Sequence, residues 1–152
     1  MRGSVENIFI SRAAAGPMES VAHARVVAGK GLEGDRYYSA AGTWSKPGQY
    51  SEITLIESEA LEALARDYKI ALRAGESRRN FVTRGVALNH LVGRRFRIGS
   101  VEFEGTKLAD PCSHLERLTK PGVKFGLTHR GGLCARALAD GIVERGAAIE
   151  IA

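Results

Sequence analysis

The run Asp110-Pro111-Cys112-Ser113-His114 is the segment of this sequence best equipped for chemistry. Asp110 can cap a helix, Pro111 suits the first helical position, where its missing N–H costs nothing, and Cys112 then falls in the first turn. A thiol placed there meets unpaired backbone N–H groups and the positive end of the helix dipole. Both favour the thiolate, the form that attacks electrophiles or binds soft metals. Asp110 opposes that effect, whereas His114 and nearby arginines support it. The alternative is a buried cysteine that only packs. Cys134 lies in Leu133-Cys134-Ala135-Arg136-Ala137-Leu138, a strand pattern with no cap residue, and reads as a small strand side chain. Two cysteines make no disulfide framework, and His23, His90, His114 and His129 lack the spacing of a zinc site. Neither a G-x-S-x-G elbow nor a paired-carboxylate signature is present.

Charge offers a second lead. The net charge is +5, with sixteen arginines against six lysines, and Arg78, Arg79, Arg84, Arg94, Arg95 and Arg97 fall within one short window. The planar guanidinium suits bidentate recognition of phosphate or carboxylate, so the cluster reads either as an anion site or as a solvated basic face. Phe81 and Phe96 beside it have the pattern of strand-core residues rather than of a stacking platform, which argues against extended nucleic-acid binding. Gly29-Lys30-Gly31-Leu32-Glu33-Gly34 matches G-x-G-x-x-G, but no amphipathic helix follows to receive a pyrophosphate. Those glycines are better explained as letting a loop turn tightly and present Asp35 and Arg36.

The elements that must position these groups are mostly strands. Val5 to Ile10, Ala22 to Val27 and Gln49 to Ile56 read as strands, with a long loop from Gly29 to Gly48 that carries Asp35, Arg36, Tyr37, Tyr38 and Trp44. Ser58 is the expected N-cap of one clear helix, in which Leu61, Leu64, Ala65 and Tyr68 recur at helical spacing and pack on a sheet. From Arg94 to Leu108 apolar and charged residues alternate across a Gly99-Ser100 turn, the pattern of a hairpin. Leu133 to Leu138 and Ala147 to Ile151 are two more short strands. The pattern is that of a compact barrel or sandwich. With 152 residues, 44% apolar and 26% charged, residues 1–152 are expected to form one domain that needs no structural metal. No secretory h-region and no apolar run near about 18 residues occurs, so the expected location is the cytoplasm, without membrane insertion.

Three stretches in this order and spacing carry a resemblance: Gly31-Leu32-Glu33-Gly34-Asp35-Arg36-Tyr37, Arg78-Arg79-Asn80-Phe81-Val82-Thr83-Arg84-Gly85-Val86, and Gly105 through Pro111-Cys112-Ser113-His114-Leu115-Glu116. Together they resemble MOSC domains, named for the C-terminal domain of molybdenum-cofactor sulfurases, in the short stand-alone bacterial form. The resemblance spans roughly residues 5 to 151 and implies a mainly β fold, a MOSC-like β-barrel with a few peripheral α-helices. It places the family cysteine on Cys112, as metal ligand and catalytic residue. It places Arg36, Arg78 and Asn80 at the pterin and phosphate of a molybdenum cofactor (molybdopterin), with Arg84 of the same stretch and Ser11 and Arg12 as further contacts. Two activities are implied: reduction of N-hydroxylated compounds such as amidoximes, or sulfur carriage through a Cys112 persulfide. The first requires a separate electron-donor protein, because the chain has no iron–sulfur cysteine set and no flavin or nicotinamide motif; the second requires a sulfur-donor protein. The family also brings an association with pyridoxal phosphate binding.

Overall fold

Alternation of side chains decides where each strand faces. In β7 (Arg95–Ile98) and β8 (Val101–Leu108), Phe96, Ile98, Val101 and Phe103 are buried while Arg95 and Arg97 stay in solvent, so this hairpin has one wet and one dry face. The computed structural model describes residues 2–38 and 52–151. Before the hairpin come β1 (Arg2–Ile10), β2 (Glu19–Val21), β3 (His23–Val27), β4 (Gly31–Leu32), β5 (Ile53–Glu57), α1 (Ser58–Tyr68) and β6 (Phe81–Arg84). After it come α2 (Ser113–Leu118), α3 (Val123–Gly126), β9 (Leu133–Ala137), β10 (Gly141–Glu144) and β11 (Ala148–Ile151).

Seven strands close into a barrel in the order β1-β11-β7-β8-β9-β5-β6, with β6 pairing back to β1. Closure removes the open edges that a flat sheet would leave. Its interior is filled by apolar side chains that include Val5, Ile8, Phe81, Phe96, Phe103 and Leu133. A smaller sheet, β10-β3-β4, adds Ala24, Val26, Leu32 and Val143 to the same core. Every neighbouring pair in the barrel is antiparallel except β5 and β6. A parallel pair needs a crossover, and α1 lies within it. The return of that crossover delivers Arg78, Arg79 and Asn80 to the end of the barrel just before β6 begins.

β1 must serve two cores at once. Val5 and Ile8 both face inward although they are three residues apart, because the register against β6 shifts between Val5 and Asn7 and resets the alternation. Phe9 consequently points outward and packs with Ile56, Val82, Ala60 and Leu61 under α1. A third cluster, Leu64, Leu115, Val123 and Leu127, ties α2 and α3 to α1.

The strand readings hold in outline, with several corrections. Val5 to Ile10 extends back to Arg2, and Ala22 to Val27 is β3 from His23 onward, with the separate short strand β2 just before it. Of Gln49 to Ile56, residues 49–51 lie outside the described residues, as do Trp44 and the rest of the loop from 39 to 48. Ser58 is the first residue of α1 and Glu57 its N-cap; the Ser58 hydroxyl donates to the Glu6 carboxylate on β1 instead. Between β9 and β11 lies β10, which was not foreseen because a half-exposed run bounded by glycines has too little contrast to read as a strand. Gly31 and Gly34 do take left-handed backbone angles, φ of 106° and 89°, and the described residues directly after them, 35–38, form turns and no helix. None of the described helices is long and apolar enough to cross a membrane.

Candidate functional site

Cys112 does not sit inside the first turn of α2; it is the N-cap itself. Its extended backbone turns the side chain back over the helix start, where Sγ accepts the Leu115 N–H at 3.4 Å. Asp110 therefore has no capping role. The loop before α2 is held by a close approach of two backbones: a Cβ on Gly131 would lie 2.1 Å from the Ala109 carbonyl oxygen, so only glycine fits. Both carbonyls at this crossing accept from one guanidinium, Arg79 Nε to Gly131 at 2.8 Å and Nη2 to Ala109 at 3.3 Å. Burial lowers the Arg79 pKa from its usual value, against the favourable pull of Cys134, Tyr37 and Cys112. Arg79 thereby pins the cysteine loop to β9.

A second guanidinium is set into the protein from the other side. Arg36 and Asp35 form a buried pair at 3.2 Å, and Asp35 Oδ1 also accepts the Ser11 N–H at 2.9 Å. The Arg36 N–H returns to the Ser11 carbonyl at 2.7 Å, while its side chain lies over the Tyr37 ring at 4.5 Å. Arg36 Nη2 donates to the Arg78 carbonyl at 3.2 Å. Arg78 in turn has a left-handed backbone (φ 62°) and sends Nη1 to the Gly16 carbonyl at 2.7 Å, leaving Nη2 buried with no hydrogen-bond partner among the described residues. Burial first, then the charge of Arg36, lowers the Arg78 pKa from its usual value. A buried cationic N–H with no acceptor is a costly arrangement unless an anion completes it.

These groups converge. Arg36, Tyr37, Arg78, Arg79, Cys112 and His114 line a narrow cleft of about 30 Å³. It shares Ala15 and Arg78 with a larger cleft of about 560 Å³ whose walls include Phe9, Met18, Arg73, Leu118 and Thr119. The thiol and the unsatisfied guanidinium thus face adjoining parts of one depression. Among the described residues no group of three or more His, Cys, Asp or Glu could hold a metal ion. A metal at Cys112 must therefore bring most of its donors with it, which is the requirement a dithiolene cofactor meets.

The remaining candidates are placed differently. Ser11 is fully buried with Oγ on the Ala13 carbonyl at 2.8 Å, so it shapes the loop that carries Arg36. Arg12 is exposed and pairs with Glu19 at 3.6 Å. Asn80 has no solvent exposure, and its amide is spent inside the barrel on Thr54 and Phe9. Arg84 is at the far end of β6, exposed between Glu6 and Glu62, and lines neither cleft. Arg84→Ala is accordingly expected to leave cofactor content unchanged and activity within about twofold of the parent, as measured by metal analysis and steady-state assay. The basic window is partly neutralised, since Arg95 and Arg97 pair with Glu102 and Glu150. Arg79, named in the sequence only as a member of the basic cluster and not as a site residue, is the residue that joins the cysteine loop to the Gly131 turn; its place between Arg78 and Asn80 was the available signal.

His90, His129 and Arg130 belong to a separate cavity of about 350 Å³ that shares no lining residue with the two clefts. Burial raises the Glu57 carboxyl pKa there, although the Leu88 N–H opposes the shift. A carboxyl whose folded pKa is raised adds stability below the unfolded pKa, and that contribution is lost as pH rises through the folded pKa. Glu57→Gln, neutral throughout, should therefore melt a few degrees higher than the parent at pH 7 and at the same temperature near about pH 4, by calorimetry.

A family model described as the MOSC domain matches residues 42–150. Among solved structures, the YuaD protein from Bacillus subtilis superposes with a TM-score of 0.84 at 15% identity, covering 99% of this chain and 96% of that one. YiiM from Geobacillus stearothermophilus gives 0.75 at 17% identity, covering 99% and 75% of the two chains. YiiM from Escherichia coli gives 0.71 at 18% identity, covering 100% and 70%. At such identities these likenesses concern the fold. No curated protein matches the sequence.

Proposed function

The chain belongs to the MOSC domain family, which is known for molybdenum-cofactor-associated binding, and from that premise we propose that it is a molybdenum-cofactor-dependent reductase of N-hydroxylated compounds. The observation that carries this reading is the pairing of a half-exposed thiol, Cys112, with a buried and unsatisfied Arg78 Nη2 across adjoining clefts. An anionic pterin phosphate supplies the acceptor that Arg78 lacks, and a soft thiolate suits a metal already bound by sulfur. The residues present therefore fit the group. Cys112 is the metal ligand and Arg78 the phosphate ligand. Arg36 holds Arg78 in place through its carbonyl and adds positive potential, and Arg79 fixes the loop that carries the cysteine.

When bound, the cofactor supplies the two-electron redox chemistry. The net reaction cleaves the N–O bond of R–NHOH, consumes two electrons and two protons, and releases R–NH2 and water. The protein must deliver a proton to the departing oxygen, and His114 is the one imidazole in the cysteine cleft. Its narrow shape limits water around that oxygen. Electrons come from a separate carrier protein.

The test is the molybdenum and pterin content of protein purified from a host that makes the cofactor, followed by assay on amidoximes. Near-stoichiometric metal with turnover is the expected result; protein that takes up neither metal nor pterin overturns the reading. The same thiol supports a second function, sulfur carriage. A donor persulfide R–S–SH and Cys112–SH exchange to R–SH and Cys112–S–SH, which mass spectrometry after incubation with a sulfur donor would detect as one added sulfur.

A further inference from the structure

Most surface arginines of this protein are neutralised where they stand: Arg2 and Arg97 by Glu150, Arg25 by Glu33, Arg66 by Asp67, Arg136 by Glu104. The cap formed by α2 and α3 is different. Arg117, Lys120 and Lys124 enter no ion pair among the described residues; Lys120 Nζ donates to the Ala71 carbonyl at 2.6 Å and Lys124 Nζ to the Ser113 hydroxyl at 3.2 Å. The one carboxylate of residues 113–127, Glu116, accepts the N–H groups of Gly122 and Lys124. Large apolar side chains are exposed beside these cations: Phe125 at 69%, with Tyr68 at 46% packed edge-on against it, and Leu118 at 42%.

We propose that this cap is the docking surface for an acidic electron-carrier protein, an inference that rests on the reductase reading. Three cations outnumber the carboxylates near them, Glu116 within the cap and Glu76 close enough to feel Lys120, and such an excess of positive charge around an aromatic anchor is the composition of a protein-binding patch for an anionic partner. A lipid surface is less suited, because α2 and α3 have six and four residues and offer no continuous apolar face to lie in a bilayer. Position agrees with the role. α2 starts directly after Cys112 and ends at Leu118, about 9 Å further along its axis, and Leu118 and Thr119 wall the larger cleft. Two reduced one-electron carriers docking there in turn each give up one electron, the N–O bond of the substrate takes both with two protons, one delivered by His114 and replaced from solvent, and water leaves.

The experiment titrates the cofactor-loaded protein with an acidic plant-type [2Fe–2S] ferredoxin from about 50 to about 300 mM salt. The parent should bind at low salt and lose affinity at least about tenfold over that range. The double variant Lys120→Glu/Lys124→Glu, and separately Phe125→Ser, should bind at least about tenfold more weakly at low salt, with melting temperatures near the parent's. Arg94→Glu/Arg145→Glu, the same charge change outside the cap, should bind as the parent does. Equal affinity of the parent and the Lys120/Lys124 variant, or no binding of ferredoxin at low salt, overturns the proposal. Binding to phosphatidylglycerol vesicles in place of ferredoxin overturns it in favour of a lipid surface. Dithionite-reduced methyl viologen needs no docking, so its failure to drive amidoxime reduction by the parent would count against the reductase reading alone.

Discussion

Cys112→Ser is expected to abolish amidoxime reduction, by at least about a thousandfold in kcat, while the protein melts at or slightly above the parent's temperature. The two halves of this result come from different properties of one atom. Structurally, Sγ does little: it caps α2 by accepting one N–H at 3.4 Å, and a serine oxygen is a better N-cap than sulfur. Chemically, sulfur has no substitute here, since a hydroxyl is a poor ligand for a soft metal and cannot carry a persulfide. Metal analysis, the viologen-driven assay and calorimetry on the same preparation make the comparison. A variant that keeps its molybdenum and its turnover would remove Cys112 from the chemistry and leave it a capping residue.

Asn80→Ala should produce the opposite pattern, a loss of stability of about 3 kcal/mol, read from denaturant midpoints. The Asn80 side chain accepts the Thr54 N–H at 3.0 Å and donates to the Phe9 carbonyl at 3.1 Å, both fully inside the protein. Removing it strands a donor on β5 and an acceptor on β1, each costing about 1–3 kcal/mol when no water can reach it. Its backbone bonds to the same two strands remain, so the variant should still fold. A variant that keeps its midpoint but loses pterin would instead make Asn80 a direct cofactor contact. The Arg-x-Asn spacing thus encodes two tasks: the asparagine closes the mouth of the barrel, and Arg78, two residues earlier, is held at the cleft by that closure.

The hairpin of β7 and β8 was legible because its alternation is strict and its turn is short. α1 was legible in extent but not in its cap, because whether Ser58 faces its own helix or Glu6 depends on a strand 52 residues earlier. The same limit applies to the site. Cys112 stood out by residue type and by its expected place in the first turn of a helix, one position from its actual place at the N-cap, and Arg36 and Arg78 stood out by resemblance. Nothing local separates Arg78 from Arg84, six residues later in the same basic stretch; only the carboxylates of Glu6 and Glu62, brought in by β1 and α1, claim the second, whereas the first keeps a buried Nη2 without an acceptor among the described residues. Arg79 was hidden for a related reason. Its acceptors, the Ala109 and Gly131 carbonyls, are backbone atoms from distant loops, and accepting a hydrogen bond there asks nothing of either side chain.

The pairing of β1 with β11 sets a timetable for synthesis. Arg2 to Ser4 wait for Ala148 to Glu150, so the barrel cannot close until nearly all of residues 2–151 have left the ribosome. Until then β1 and β7 each have an open edge, available to any other unpaired strand nearby. A contact spanning almost the whole described sequence is also slow to form, because the loop it closes is long. Closure of the barrel should therefore wait until residues 148–150 are available, and nascent chains halted before residue 148 should be the species that chaperones hold and proteases cut.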